Sequence, residues 1–498
     1  MPRLRLLLCL SGVLLLSGCS LGGLTYNPNR GLEVSQSGQA SGSSAKSSGS
    51  GSLSLGALLG TGTSYPRAGY VVGDEPSAVK AASAVLHEGG SATDAVTALY
   101  LAMAVTFPGA ASLGGGGACV VYDEHSGKAH TVTFMTGRAG AGKYGIPGNV
   151  RGFQVLHSRY GKLPWARDVA YAEAMAATGF RVSAALEQRL TANLERIRQD
   201  PTLAGEFLTA TGQVKPIGTI VRAPALAATL DRLRRQGPGA FYSGRLGAQI
   251  VHAIVAEGGT LSLEQLAAYR AQVESAPSMR LDGDRLFLAS GKRREGGFAQ
   301  TVVRALFAAG AAARDANAGA LAASALAQAR AADRLAVPTP DEGATGFAAL
   351  DKNGQAVACG VTMDGPFGAG HTIAGTGIVL AAAPDGAQAL ANAAILSPMI
   401  LVRNDTGPIL LPGSGPDFAP VLAGAGAGGP GSAAAMAYAI YQLERGGGLT
   451  AMSRIPQGLV TSNDSVNAIA CHEGVCSVLT NPRAAGFAVA IAARKRKS

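Results

Sequence analysis

The cysteines carry the plainest chemistry in this 498-residue chain. Leu16-Ser17-Gly18-Cys19 follows a basic start, Arg3 and Arg5, and an apolar run from Leu6 to Leu16 that is too short to span a bilayer. These four residues look like a lipobox: small side chains admit a peptidase to the bond before Cys19, whose sulfur then takes a diacylglyceryl group. Residues 1–18 therefore read as a signal peptide and Cys19 as the lipidation site; the alternative is a plain signal with an incidental cysteine. Each buried methylene contributes about 0.8 kcal/mol, so several acyl chains make release from a membrane slow. Ser20 follows Cys19 where an aspartate would direct retention, which points to the outer membrane. The expected location is the cell envelope, with the membrane as partner through acylated Cys19.

Cys9 leaves with the signal, and four cysteines remain for the mature chain: Cys119, Cys359, Cys471 and Cys476. Only Cys471 and Cys476 are close in sequence. In an oxidising compartment a structural disulfide across the turn His472-Glu473-Gly474-Val475 is expected, with a metal site as the alternative. Cys119 and Cys359 sit in separate apolar runs and read as buried thiols acting as small hydrophobes. The seven histidines form no zinc-type spacing, and Gly114 to Gly117 lack the Lys-Ser/Thr of a phosphate loop. No metal or organic cofactor is implied. The formal charge of +10 is spread thinly except at Arg494-Lys495-Arg496-Lys497, a tail that is either solvated or in contact with anionic lipid. No aromatic-basic interleaving suggests nucleic acid as a partner.

At 47% hydrophobic and 15% charged, with 69 glycines, the chain is globular and packed through small side chains. Residues 19–64 form a Ser/Gly-rich tether with too few apolar groups to offset ordering entropy. From Tyr65 the composition turns globular. Ser77 to Leu86 and Thr93 to Val105 read as Ala-rich helices, and Cys119 to Tyr122 with His130 to Phe134 as a hairpin around His125-Ser126-Gly127. Residues 150–335 are mostly helical by period, as at Leu186 to Arg198, Ala225 to Gln236 and Leu246 to Glu257. Strands return at Phe347 to Leu350 and Ala356 to Thr362, joined by the turn Asp351-Lys352-Asn353-Gly354.

Several blocks together resemble the γ-glutamyltransferase family. They are Glu75-Pro76, Gly89-Gly90-Ser91-Ala92-Thr93-Asp94-Ala95, Gly114 to Gly117, Gly137-Arg138, Ile146-Pro147-Gly148, Tyr160-Gly161-Lys162-Leu163-Pro164-Trp165 and Phe241-Tyr242-Ser243-Gly244. The block Gly354 to Ile378 aligns without a gap. The resemblance implies an α+β fold, the four-layer αββα sandwich of the N-terminal-nucleophile hydrolases. Residues 65–343 and 344–498 would correspond to the large and small subunits of one intertwined domain. It also implies self-cleavage before a threonine, whose amine and hydroxyl then transfer or hydrolyse a γ-glutamyl group.

Carried over residue by residue, Arg138 stands for the carboxylate-binding arginine, although Ala139 replaces its acidic neighbour. Gly428-Gly429 stands for the oxyanion glycines and Thr362 for a second hydroxyl beside the nucleophile. Asp364 replaces an asparagine, so the group accepts where the family also donates. The acidic pair of the α-amino site becomes Asp385-Gly386, and a serine pair becomes Ala394-Ile395. The loop Lys292-Arg293-Arg294-Glu295-Gly296-Gly297 departs in charge, and only nine residues separate Arg334 from position 344. Counting back from Asp351, the catalytic threonine falls on Ala344, which has no oxygen to attack with. Thr345 is one residue away, but a one-residue slip on a strand turns a side chain to the other face unless a bulge re-aims it.

Two readings stand. In the first the chain is a γ-glutamyltransferase or glutathione hydrolase-like enzyme acting on a small γ-glutamyl or peptide-like substrate, with Thr345 and Thr362 catalytic and Arg138, Asp364 and Asp385 binding. In the second it is an uncleaved, inactive surface lipoprotein that binds a peptide or a partner protein.

Overall fold

The computed structural model describes residues 25–27, 31–33, 67–292, 295–312, 317–333, 343–384, 393–403, 420–445, 448–452, 454–472 and 475–492. The signal peptide, Cys19, the Ser/Gly runs, Arg293, Arg294, Arg334, Asp385 and the basic tail lie outside these residues. Two units divide the chain at Leu58. In the first, Thr25–Asn27 pairs antiparallel with Gly31–Glu33.

In the second unit the chain opens with strand β1 (Arg67–Gly73), helix α1 (Pro76–His87) and helix α2 (Ala92–Thr106). Helix α2 begins at a capping box in which Ser91 and Asp94 exchange bonds between side chain and backbone, satisfying donors that a helix start leaves bare. All fifteen of its residues are buried, as its run of alanine, leucine, valine and methionine with no long charged side chain requires. Strands β2 (Gly116–Asp123) and β3 (Lys128–Thr133) form a hairpin, followed by α3 (Asn149–Tyr160) and α4 (Trp165–Thr178).

After further helices come three short strands, β4 (Gln272–Ser275), β5 (Ser278–Leu281) and β6 (Asp284–Leu288), inside a stretch whose period reads as helical. Asp282 and Gly283 both take positive φ, and this Asp-Gly pair closes the tight β5–β6 hairpin. The helix expected over Leu186 to Arg198 is broken at Asn193, whose amide bonds back to the Arg189 carbonyl and separates Ala184–Ala192 from Leu194–Gln199.

Helices α5 (Gly297–Ala312) and α6 (Ala318–Asp333) precede the central hairpin of β7 (Ala344–Asp351) and β8 (Ala356–Thr362). Strands β9 (Ser397–Val402) and β10 (Pro420–Ala427), helix α7 (Pro430–Glu444) and strands β11 (Ser465–His472), β12 (Val475–Thr480) and β13 (Phe487–Ala492) complete the unit.

Two antiparallel sheets result, in the orders β4-β3-β2-β8-β7-β1-β13 and β5-β6-β9-β10-β11-β12. Tyr70, Val120, Ala348, Leu350, Ile400 and Ile469 fill the space between them. On the outer face of the first sheet, Leu99, Tyr100, Phe153 and Phe347 join α2 and α3 to the strands, with Tyr100 stacked on Phe153 at 4.1 Å. On the outer face of the second, Phe298, Val302, Leu401, Met436 and Val466 join α5 and α7 to theirs. The layers are helix, sheet, sheet, helix, so the chain has the αββα sandwich. Among the described residues no helix is long and apolar enough to cross a membrane.

The reading of Cys119 and Cys359 as thiols is corrected. They are directly opposite each other on β2 and β8 and form a disulfide, with Cα atoms 4.1 Å apart and 240 residues between them. Antiparallel register creates this proximity, which sequence distance conceals. Cys471 and Cys476 form a second cross-strand disulfide on β11 and β12. Replacing Cys119 and Cys359 together by alanine is expected to lower the unfolding free energy by about 2–5 kcal/mol, since the bridge closes a long loop in the unfolded chain. Urea denaturation measures this, and an unchanged midpoint would remove the bridge from the stability argument.

Candidate active site

The chain enters strand β7 through Gly343, whose φ of 59° lets it turn in against the Gly365 carbonyl, where a side chain would collide. Both faces of β7 are covered, so alternate residues enter different layers. Ala344 is 2% exposed and packs toward the second sheet with Met135, Ala393, Leu396 and Ala427. Gly346, Ala348 and Leu350 follow on that face, and a Cβ on Gly346 would press on the backbone of Ala425.

Thr345, Phe347 and Ala349 face the other way. Thr345 is fully buried, and its hydroxyl donates to Asp74 Oδ2 at 2.7 Å. Asp74 Oδ1 accepts from Asn467 Nδ2 at 2.7 Å, and the same amide donates to the Gly346 carbonyl at 2.8 Å. Ser465 Oγ accepts from Gly346 N at 2.8 Å. Arg189 lies over the Phe107 ring and donates to the Ala344 carbonyl at 3.4 Å. The cavity beside Asp74 and Arg189 measures about 30 Å³, room for about one water.

Thr362 pairs directly with Ala344 across the hairpin and is buried. Its hydroxyl accepts from Asp364 N at 2.9 Å, and Asp364, at φ 55°, accepts from Thr136 Oγ1 at 2.6 Å. Thr136 is two residues before Arg138, which is exposed on a two-residue strand paired with Gly145–Ile146 and donates to the Gly140 carbonyl at 3.1 Å. Gly428 and Gly429 form the turn from β10 into α7, directly after Ala427. Gly428 has φ 84°, and a Cβ there would meet the Asn463 carbonyl, so the turn needs glycine. At this helix start Asp464 accepts from Ser432 N at 3.2 Å and from Thr461 N and Oγ1 at 2.6 and 2.9 Å. Burial nonetheless raises the Asp464 carboxyl above its ordinary range, outweighing those bonds.

The fold thus gathers Ala344, Thr362, Asp364 and the Ala427–Gly429 turn at one end of the sheets, and turns Thr345 into the helical layer. Asp385 lies outside the described residues.

The family model described as gamma-glutamyltranspeptidase matches residues 78–317. Curated relatives include glutathione hydrolase 2 of Arabidopsis thaliana, 33% identical over 234 residues, which are 44% of this chain and 40% of that protein. Glutathione hydrolase 7 of Homo sapiens is 32% identical over 227 residues, 41% of this chain and 33% of its own. The likeness to the γ-glutamyltranspeptidase family thus spans just under half of the chain. It spans 40% or less of the length of these two relatives, and the family model's match ends at Asn317, before β7. Among solved structures, the cephalosporin acylase of Bacillus halodurans superposes with a TM-score of 0.64 over 85% of this chain and 96% of its own, at 19% identity, a likeness of fold.

Sequence reasoning missed Asp74, Asn467, Ser465 and Arg189. A usable signal existed: in the apolar strand Ser465-Val466-Asn467-Ala468 the two polar side chains alternate, so both point to one face. Thr345→Val keeps the volume and leaves the buried Asp74 carboxylate short of one donor. It is expected to lower stability by about 1–3 kcal/mol in chemical denaturation; no change would mean the hydroxyl is dispensable to the Asp74–Asn467 network.

Proposed function

We propose that this relative of the γ-glutamyltranspeptidase family stays uncut and binds a γ-glutamyl or peptide-like ligand without hydrolysing it, anchored to the outer membrane through acylated Cys19. The observation that carries the proposal is the surrounding of Ala344: a methyl group packed against Met135, Ala393, Leu396 and Ala427. A nucleophile there needs an oxygen, a base to take its proton and donors for the oxyanion. Position 344 supplies no oxygen, and the side chains its methyl group packs among offer carbon and sulfur. Thr345 does not substitute, because its hydroxyl is committed to Asp74 on the opposite face and the adjoining space admits about one water. The site keeps polar groups that suit recognition: Thr362, Asp364 and the guanidinium of Arg138, which can grip a carboxylate.

One observation favours self-cleavage before Thr345 as the second reading. Asp74 can take the Thr345 proton while the Arg189 guanidinium holds the Ala344 carbonyl, the two aids that attack of Oγ1 on that carbonyl requires. Intact mass of the purified mature chain after long incubation separates the readings. One uncut mass, carrying the acyl chains and losing them in Cys19→Ser, is expected. Two fragments meeting at Ala344–Thr345, absent from Thr345→Ala, would overturn the uncut reading.

The binding half is read by calorimetric titration with a γ-glutamyl dipeptide. Arg138→Gln is expected to weaken the affinity about tenfold by removing a charge-assisted contact. Heat-silent titrations at millimolar peptide would withdraw the ligand and leave the anchored scaffold.

A further inference from the structure

A second polar cluster lies in the helical layer, toward the far end of β7. Asp94 sits in the first turn of α2, His157 in the last turn of α3 and Asp168 in the first turn of α4. One ligand atom from each falls within 4.8 Å of the other two. His157 Nε2 is 3.8 Å from Asp94 Oδ1 and 3.6 Å from Asp168 Oδ2. The same nitrogen donates its proton to the Leu163 carbonyl oxygen at 2.8 Å.

The two carboxylates differ in how they are held. Asp94 is fixed by backbone N–H groups of Ser91 at 2.8 Å, Lys162 at 2.9 Å and Leu163 at 3.1 Å. Asp168 is 0% exposed, and among the described residues neither of its carboxylate oxygens has a hydrogen-bond partner. A buried carboxylate with no donor is costly, and the usual remedy is a proton or a cation.

The spacing leaves room for the second remedy. Distances of 3.6 and 3.8 Å are too long for an imidazole–carboxylate hydrogen bond. They lie near the edge of a tetrahedron of nitrogen and oxygen ligands around zinc, about 3.3–3.6 Å for bonds of about 2.0–2.2 Å. Two carboxylates balance the charge of a divalent ion. An imidazole among oxygen donors favours a zinc-type cation over calcium or magnesium.

We propose that Asp94, His157 and Asp168 bind one zinc-type divalent cation, which takes the place of the proton that His157 Nε2 shares with the Leu163 carbonyl. The ion would pin three helix ends to one point. Its place is structural: Asp351, the last residue of β7, is bonded to Ala92 N at the start of α2, whereas Ala344 begins that strand.

The test uses the full mature chain, stripped with chelator, dialysed and titrated with zinc chloride, with bound metal counted by mass spectrometry. One zinc per chain and a raised unfolding temperature are expected, since an ion that binds only the folded state stabilises it. Asp168→Asn and His157→Gln should each weaken binding by about 100-fold or more and abolish the thermal shift. If Asp168→Asn does not fold, His157→Gln provides the comparison. No zinc uptake by the wild-type chain at millimolar zinc would overturn the proposal. So would equal uptake by wild type and variants, because the ion would then sit elsewhere.

Discussion

Strand β7 has no solvent on either side. All eight of its residues are buried between the inner face of the second sheet and the helices over the first. A side chain on this strand therefore has two environments to choose from, and its position decides which, because successive residues of a strand point to opposite faces. Ala348 and Leu350 need the inter-sheet space and Phe347 and Ala349 need the helical layer, so the parity of the strand is fixed by four residues of core. Positions 344 and 345 inherit it. A slip that brought Thr345 to the Ala344 side would also drive Phe347 between the sheets, where Gly346 already lies against the Ala425 backbone.

The polar groups obey the same constraint. With Thr345 in the helical layer, its hydroxyl must find a buried partner, and Asp74 at the end of neighbouring β1 supplies one. That carboxylate in turn takes the amide of Asn467 on β11, which also holds the Gly346 carbonyl. One side-chain network thus joins three strands from both sheets at the end where Ala344 sits. Such a network favours a single register, because each member left alone would be a buried polar group without a partner.

Much of the fold was legible, because it rests on local signals. The Ser91–Asp94 capping box, the Asp351–Gly354 turn and the alternation after Ala344 can be read from neighbouring residues. The faces of Ala344 and Thr345 follow from counting by twos. What escaped depends on pairings distant in sequence. Cys119 meets Cys359 across 240 residues and Asn467 meets Asp74 across 393, so no spacing rule could connect them. Strands β4 to β6 were hidden for another reason: they are short and embedded in helical sequence, where the Asp282-Gly283 turn was the local cue.

The packing at position 344 suits a methyl group. A threonine would add two heavy atoms to the space shared by Met135, Ala393, Leu396 and Ala427, and overfilling a packed core typically costs about 1–3 kcal/mol. Its hydroxyl, unless paired, would add about 1–3 kcal/mol more. Alanine fills this point at no such cost. Its apolar neighbours are arranged as a core is arranged, around a methyl group, while Thr362 stands directly opposite it on β8.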